Sequence, residues 1–142
     1  NTTVINCTLK KAKNKKIKIK FITPKEIPLI KGDDHQLHQL FENLIDNSIK
    51  YSNLNSQIQI NIELNKKIKK IFIIINDESP GIPEKFIPRI TERFYRLETT
   101  KKIEGTGLGL SIAKHIANKH RAGFEITSIL GKGSSLKLSF PF

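Results

Sequence analysis

Apolar and polar positions along the chain follow two different periods. Val4, Ile5, Leu9 and Ala12 recur at roughly helical spacing and predict a short helix over residues 4–12. "KIKIKFIT" (16–23) alternates strictly, which predicts a strand. Pro24 and Pro28 hold an extended connection after it. From Asp33 the period lengthens. Leu37, Leu40, Phe41, Leu44, Ile45 and Ile49 follow an i, i+3, i+4 series, an amphipathic helix with Asp33 or Asp34 as N-cap.

"QIQINIEL" (57–64) and "KIFIIIN" (70–76) predict two strands around a lysine-rich turn. The second is apolar on both faces, so it is expected in the middle of the sheet. "DESPGIPEKFIPR" begins a proline-rich stretch with little periodicity out to Glu104. A helix is expected from Leu108 to about His120, followed by a hairpin of "GFEITSIL" and "SSLKLSF" joined by "GKGS". Helices alternating with mixed strands predict an α+β protein, a two-layer α/β sandwich. There is no internal repeat.

The length of 142 residues suits a single domain spanning 1–142. No apolar run approaches the roughly 20 residues of a membrane span, and the start of the chain has no signal-peptide character. Cys7 is the one cysteine, which excludes an intrachain disulfide and suits a reducing cytosol. The net charge of +12, from 25 Lys plus Arg against 13 Asp plus Glu, attracts polyanions. Its lysines concentrate in 10–20 and 65–70, where no aromatic residues interleave for base stacking. A solvated face is favoured there over a nucleic-acid surface.

Three constellations carry candidate chemistry. Gly105, Gly107 and Gly109 stand where the second long helix begins, although each weakens a helix start by about 1 kcal/mol relative to alanine. Helix N-termini expose unpaired N–H groups, and glycine lets phosphate approach them closely. The spacing is not a Walker A loop, because no GK in the chain is followed by Ser or Thr. It is not a dinucleotide fingerprint either, being G-x-G-x-G after a loop. On the first long helix Asn43, Asn47 and Lys50 share one stripe. Their carboxamide oxygens suit Mg²⁺ and the lysine suits phosphate, but an ordinary solvated face has the same pattern. Asp77 ends the buried strand. It either makes an Asx-type turn or accepts the N6 amino protons of adenine over a floor of Gly81 and Ile82.

Together these segments resemble the ATP-binding domain of sensor histidine kinases, in the superfamily that also holds gyrase and MutL. "NLIDNSIKYS" is similar to the N box, "DESPGIP" to the G1 box, "ERFYR" to the F box and "GTGLGLSIAKHI" to the G2 box, in the family's order. "RITERFYRLE" resembles the branch of phosphate-regulon sensor kinases. The resemblance covers about Lys16 to Phe142 and implies the Bergerat fold, with Mg²⁺ and ATP as ligands. It implies Asn47 as principal metal ligand with Asn43 supporting, Lys50 on phosphate, Tyr51 near adenine and Asp77 on the adenine amino group. Gly105, Thr106, Gly107, Leu108, Gly109 and Leu110 would surround the phosphates, and Ser135 would join the site. Residues 89–104 would form a lid anchored by Phe94, with Arg93 or Arg96 reaching the nucleotide.

Three departures stand out. Ser79-Pro80 replaces the usual glycine after Asp77, Glu104 replaces the first glycine of G2, and Lys101 and Lys102 replace lid arginines. Hydrolytic relatives place a glutamate at the position of Asn43, and Glu42 beside it points about 100° away. Phosphoryl transfer is therefore favoured over ATP hydrolysis. The acceptor is expected on a separate histidine-containing dimerisation domain, since His35, His38, His115 and His120 lack its pattern. His115 and His120 are expected on the helix surface. The resemblance further implies a downstream response regulator, no nucleic-acid partner, a monomeric isolated domain and a homodimeric full-length protein. It implies a cytoplasmic location, with inner-membrane anchoring of a longer parent left open. A degenerate nucleotide-binding module and a basic nucleic-acid-binding domain are the alternatives.

Overall fold

A computed structural model describes residues 16–81 and 109–142. The helix expected over 4–12 and the lid residues lie outside this range. In chain order the elements are β1 (Lys18–Ile22), α1 (Asp34–Tyr51), β2 (Gln57–Asn65), β3 (Lys70–Asp77), α2 (Gly109–Lys119), β4 (Gly123–Ile129) and β5 (Gly133–Pro141). The strands form one sheet in the order β1-β2-β3-β5-β4. β1 pairs parallel with β2, and the other pairs are antiparallel.

α1 begins as its sequence dictates. Asp33 is the N-cap, and its Oδ1 accepts from Gln36 N at 3.0 Å. The apolar stripe then buries Leu40, Leu44, Ile45 and Ile49 against the sheet. α2 contributes the small Ala113 and Ala117 with Ile116, which allows close packing in the same layer. Opposite them, Ile58 and Ile60, then Ile71, Ile73 and Ile75, then Leu138 and Phe140 line the covered face of the sheet. Side chains in a strand alternate between faces, so these odd-even runs place every second residue in the core.

β3 is the middle strand, as its apolar sequence indicated. Its second face is only half-buried, because Phe72 and Ile74 lie on the side of the sheet away from α1 and α2. Lys137 on β5 covers the Phe72 ring, with Nζ 4.6 Å from the centroid. The lysine-rich turn of 66–69 is solvated, and Asn65 Oδ1 holds it by accepting from Lys67 N and Ile68 N at 3.1 and 3.3 Å. β1 differs more from expectation. Strict alternation does not translate into alternating burial, since Phe21 and Ile22 are exposed on this edge strand.

The end of α2 is closed by the C-cap arrangement in which Arg121 N bonds to Asn118 O and Ala122 N to Ala117 O. Arg121 occupies the left-handed position of this cap, with φ 57°. His120 is not the surface residue expected. Its Nδ1 bonds to Ile116 O at 2.8 Å, and its Nε2 accepts the backbone N–H of Asp33 at 3.0 Å. The ring thereby joins the end of α2 to the start of α1. Gly32 makes room for it, because a Cβ there would lie 2.6 Å from His120 Cδ2.

Candidate functional site

Asp77 ends β3 at the edge of the core, where its carboxylate is largely removed from water. Its Oδ1 accepts from Ser79 N at 3.2 Å, the Asx-type turn anticipated from the sequence, and from Ser134 N at 3.0 Å. Desolvation raises its pKa above the usual carboxylate value. Hydrogen bonds from the side chains of Ser79 and Ser48 and from the backbone of Ser134 and Ser79 oppose that rise. The turn and a recognition role are thus compatible, since both backbone bonds go to Oδ1.

Serines surround this carboxylate. Ser48 is 7% exposed on the inward face of α1, and Ser79 is 5% exposed. Ser79 Oγ accepts from Gly81 N at 3.3 Å and lies 3.4 Å from Ser134 Oγ, which is 3.0 Å from Ser128 Oγ. These bonds explain how serine replaces the glycine that the family resemblance leads one to expect. Ser79 has no positive φ, so its Cβ causes no strain, while the left-handed turn falls on Gly81 with φ 85°. Gly131 N donates to Pro80 O at 2.8 Å and Asn53 N to Glu78 O at 3.0 Å. The loop after Asp77 is therefore held between the β4–β5 turn and the end of α1.

Register corrects one expected site residue. Ser134 pairs with Asp77, whereas Ser135 pairs with Asn76 and Thr127. Alternation therefore places Ser135 on the face of the sheet away from Asp77. Ser134 is the residue at the site. Leu136, Leu138 and Phe140 follow it at steps of two, a signal in the sequence that fixes its inward direction.

On α1, Asn43, Asn47 and Tyr51 are half-buried and Lys50 is exposed. The Nδ2 of Asn43 is buried with no hydrogen-bond partner among the described residues. A buried amide left in that state is costly, so a ligand-side partner fits this position. Among the described residues no three His, Cys, Asp or Glu side chains gather to hold a metal. The donors that remain are the neutral carboxamides of Asn43 and Asn47, a set suited to a hard divalent ion that keeps waters and phosphate oxygens as its other ligands. The residues present fit such an ion.

Gly109 opens α2 and Leu110 packs partly buried against the core. Ile82, Phe94, Arg96, Gly105, Thr106, Gly107 and Leu108, with Arg93, Lys101, Lys102 and Glu104, lie outside the described residues. Ser48, Ser128 and Ser134 were missed in the sequence. For Ser48 the signal is a polar residue inside an apolar stripe, between Leu44, Ile45 and Ile49.

A family model described as histidine kinase-, DNA gyrase B-, and HSP90-like ATPase matches residues 32–142. The chain belongs to this family. Sensor histidine kinase YkoH of Bacillus subtilis is 40% identical over 120 residues, 83% of this chain and 26% of that protein. The phosphate regulon sensor protein PhoR of Pseudomonas aeruginosa is 37% identical over 113 residues, 78% of this chain and 25% of that protein. The phosphate-regulon branch is thus one of several similar groups. The chain spans about a quarter of the length of these relatives. Among solved structures, the catalytic domain of histidine kinase ThkA superposes with a TM-score of 0.83 at 26% identity, covering 99% of this chain and 88% of that one. The fold is therefore the Bergerat sandwich of histidine kinase catalytic domains. Among the described residues no helix is long and apolar enough to cross a membrane.

Proposed function

We propose that this chain is the Mg-ATP-binding catalytic domain of a sensor histidine kinase, forming a single domain over 1–142. The observation that carries this reading is the half-buried Asp77 carboxylate, held by two backbone N–H groups at the end of β3. Asp77 accepts the adenine amino group, a bond that guanine's carbonyl cannot supply. Tyr51 packs beside the base, and Gly81 and Ile82 form the floor. Asn47, supported by Asn43, holds Mg²⁺, and Lys50 contacts phosphate oxygens. The bound ion supplies charge neutralisation on the phosphates.

The chain's own residues favour transfer over hydrolysis. Asn43 stands where a water-activating glutamate would be needed, and a carboxamide is no general base. Glu42 is turned toward the helix surface, where its Oε2 lies 3.5 Å from His38 Nε2. The γ-phosphoryl group therefore goes to a histidine on a dimerisation domain outside this chain, and from there to a response regulator. The parent protein acts as a homodimer, with this domain in the cytoplasm. The isolated domain is a monomer.

Titration with a fluorescent ATP analogue, with and without Mg²⁺, tests the binding. Saturable binding that Asn47→Ala makes insensitive to magnesium supports the proposal. Binding that is absent, or unchanged by Asp77→Asn, refutes it. Incubation with Mg-ATP and a dimerisation domain from a related kinase then separates a kinase from a module that only binds nucleotide. Label on the acceptor histidine supports the former, and label on His35, His38, His115 or His120 refutes the assigned acceptor.

A further inference from the structure

The end of the sheet remote from Asp77 carries a second concavity of about 760 Å³, lined chiefly by Leu29, Lys31, Lys119, His120, Arg121 and Phe142. β5 runs from Ser134, beside Asp77, to Pro141, beside Lys70, so roughly 25 Å of strand separates the two places. The volume is that of a ligand pocket.

Every ionisable side chain of its lining is basic. Among the described residues no ion pair engages Lys31, Lys119 or Arg121. Asp33 beside the cleft does not neutralise them directly, because its carboxylate caps α1 through Gln36 N. His120 serves as wall rather than ligand, with both ring nitrogens committed to Ile116 O and Asp33 N.

Arg121 adds an independent observation. It occupies the left-handed cap position where glycine is ordinarily favoured, at φ 57°. The chain keeps a strained arginine there and so places a guanidinium in the cleft wall. Leu29 is 97% exposed and Phe142 38% exposed on the same concavity. A small anion would satisfy the cations and leave this apolar surface wet. Polynucleotide is a poorer match, because the most exposed apolar residue of the lining, Leu29, is aliphatic and offers no stacking surface, and Phe142 is the more covered of the two.

We infer that this cleft docks an acidic segment of a partner protein, one with carboxylates on both sides of an aliphatic side chain. Its carboxylates meet Lys31, Lys119 and Arg121 while the aliphatic group covers Leu29 and Phe142. The site is separate from the nucleotide crevice and does not depend on the function proposed above.

The test is amide chemical-shift titration of the ¹⁵N-labelled chain with the capped peptide Glu-Glu-Leu-Glu-Glu. Shifts centred on Lys31, Gly32 and Lys119 to Arg121 are expected. Lys119→Glu should weaken binding about tenfold, as should Arg121→Gly, which relieves the cap and keeps the fold. Replacing the peptide leucine with serine should weaken binding severalfold in the wild-type chain and have little effect in Leu29→Ser. Wild-type affinity in both charge variants, or shifts centred on Asp77, would overturn the inference. So would citrate binding as tightly as the peptide, or a short thymidine oligonucleotide binding the same amides more tightly.

Discussion

The backbone N–H of Ser134 donates to Asp77 Oδ1 at 3.0 Å, a contact between residues 57 apart in sequence. It joins the start of β5 to the end of β3 and fixes the direction of a carboxylate that burial disfavours in its charged form. Burial makes the Asp77 charge costly to the free protein, and the Ser134 bond offsets part of that cost.

Asp77→Asn should therefore separate the two properties. The amide oxygen still accepts from Ser79 N and Ser134 N, so the turn survives. Nucleotide affinity should fall by about 1.5–3 kcal/mol, the range for hydrogen bonds to charged groups. The folded state holds the Asp77 proton more tightly than the unfolded chain, whose value is 3.8. Its contribution to stability is present below that value and is lost as pH rises through the raised folded pKa. Urea titrations across this window should show wild type losing stability relative to Asp77→Asn as pH increases.

Ser48→Ala should push the same carboxyl further from its ordinary range. The Ser48 hydroxyl is one of the groups that favour the charged form. Its removal should move the acid limb of nucleotide binding to higher pH, with fold stability falling by about 1 kcal/mol. An acid limb that stays in place would remove Ser48 from the environment of Asp77.

Gly32 and His120 should be energetically coupled. Gly32→Ala drives a Cβ to 2.6 Å from His120 Cδ2 and should cost about 1–3 kcal/mol. His120→Ala leaves the Asp33 N–H without its acceptor and should cost about 1–2 kcal/mol. In the double variant the collision with the ring is gone and only Leu37 Cδ1, at 2.8 Å, still crowds the new Cβ, so the sum of the single losses should exceed the measured loss by more than about 0.5 kcal/mol. Additive losses in thermal unfolding would contradict the described packing.

Two glycines of the β4–β5 turn should respond unequally to alanine. At Gly131 a Cβ meets nothing within 4 Å, and φ 80° alone sets the penalty at about 1–2 kcal/mol. At Gly133 the Cβ would collide with the backbone oxygen of Asp77. That backbone cannot move without dragging Asp77, so the loss should exceed about 3 kcal/mol and extend to nucleotide binding. Denaturant midpoints of the two variants measure the difference.

Much of the fold is legible in the sequence. The Asp33 cap, the α1 stripe, the solvated lysine turn and the central place of β3 follow from local period and composition. What escaped depends on separation in sequence. His120 meets Asp33 across 87 residues, and no local pattern announces that bond. The burial of β1 depends on its place at the sheet edge, which its own alternation does not encode. Ser134, not the expected Ser135, shares the face of Asp77, a parity that the residues of the turn obscure although Leu136 onward fixes it.

β3 is hydrogen-bonded to a strand on either flank, whereas among the described residues β1 and β4 each pair on one side only. Fraying of the outer strands can therefore proceed while the peptide units leading to Asp77 stay protected from exchange. The residue assigned to purine selection is mounted on the segment that yields late to partial unfolding, so recognition geometry should outlast much of the breathing around it.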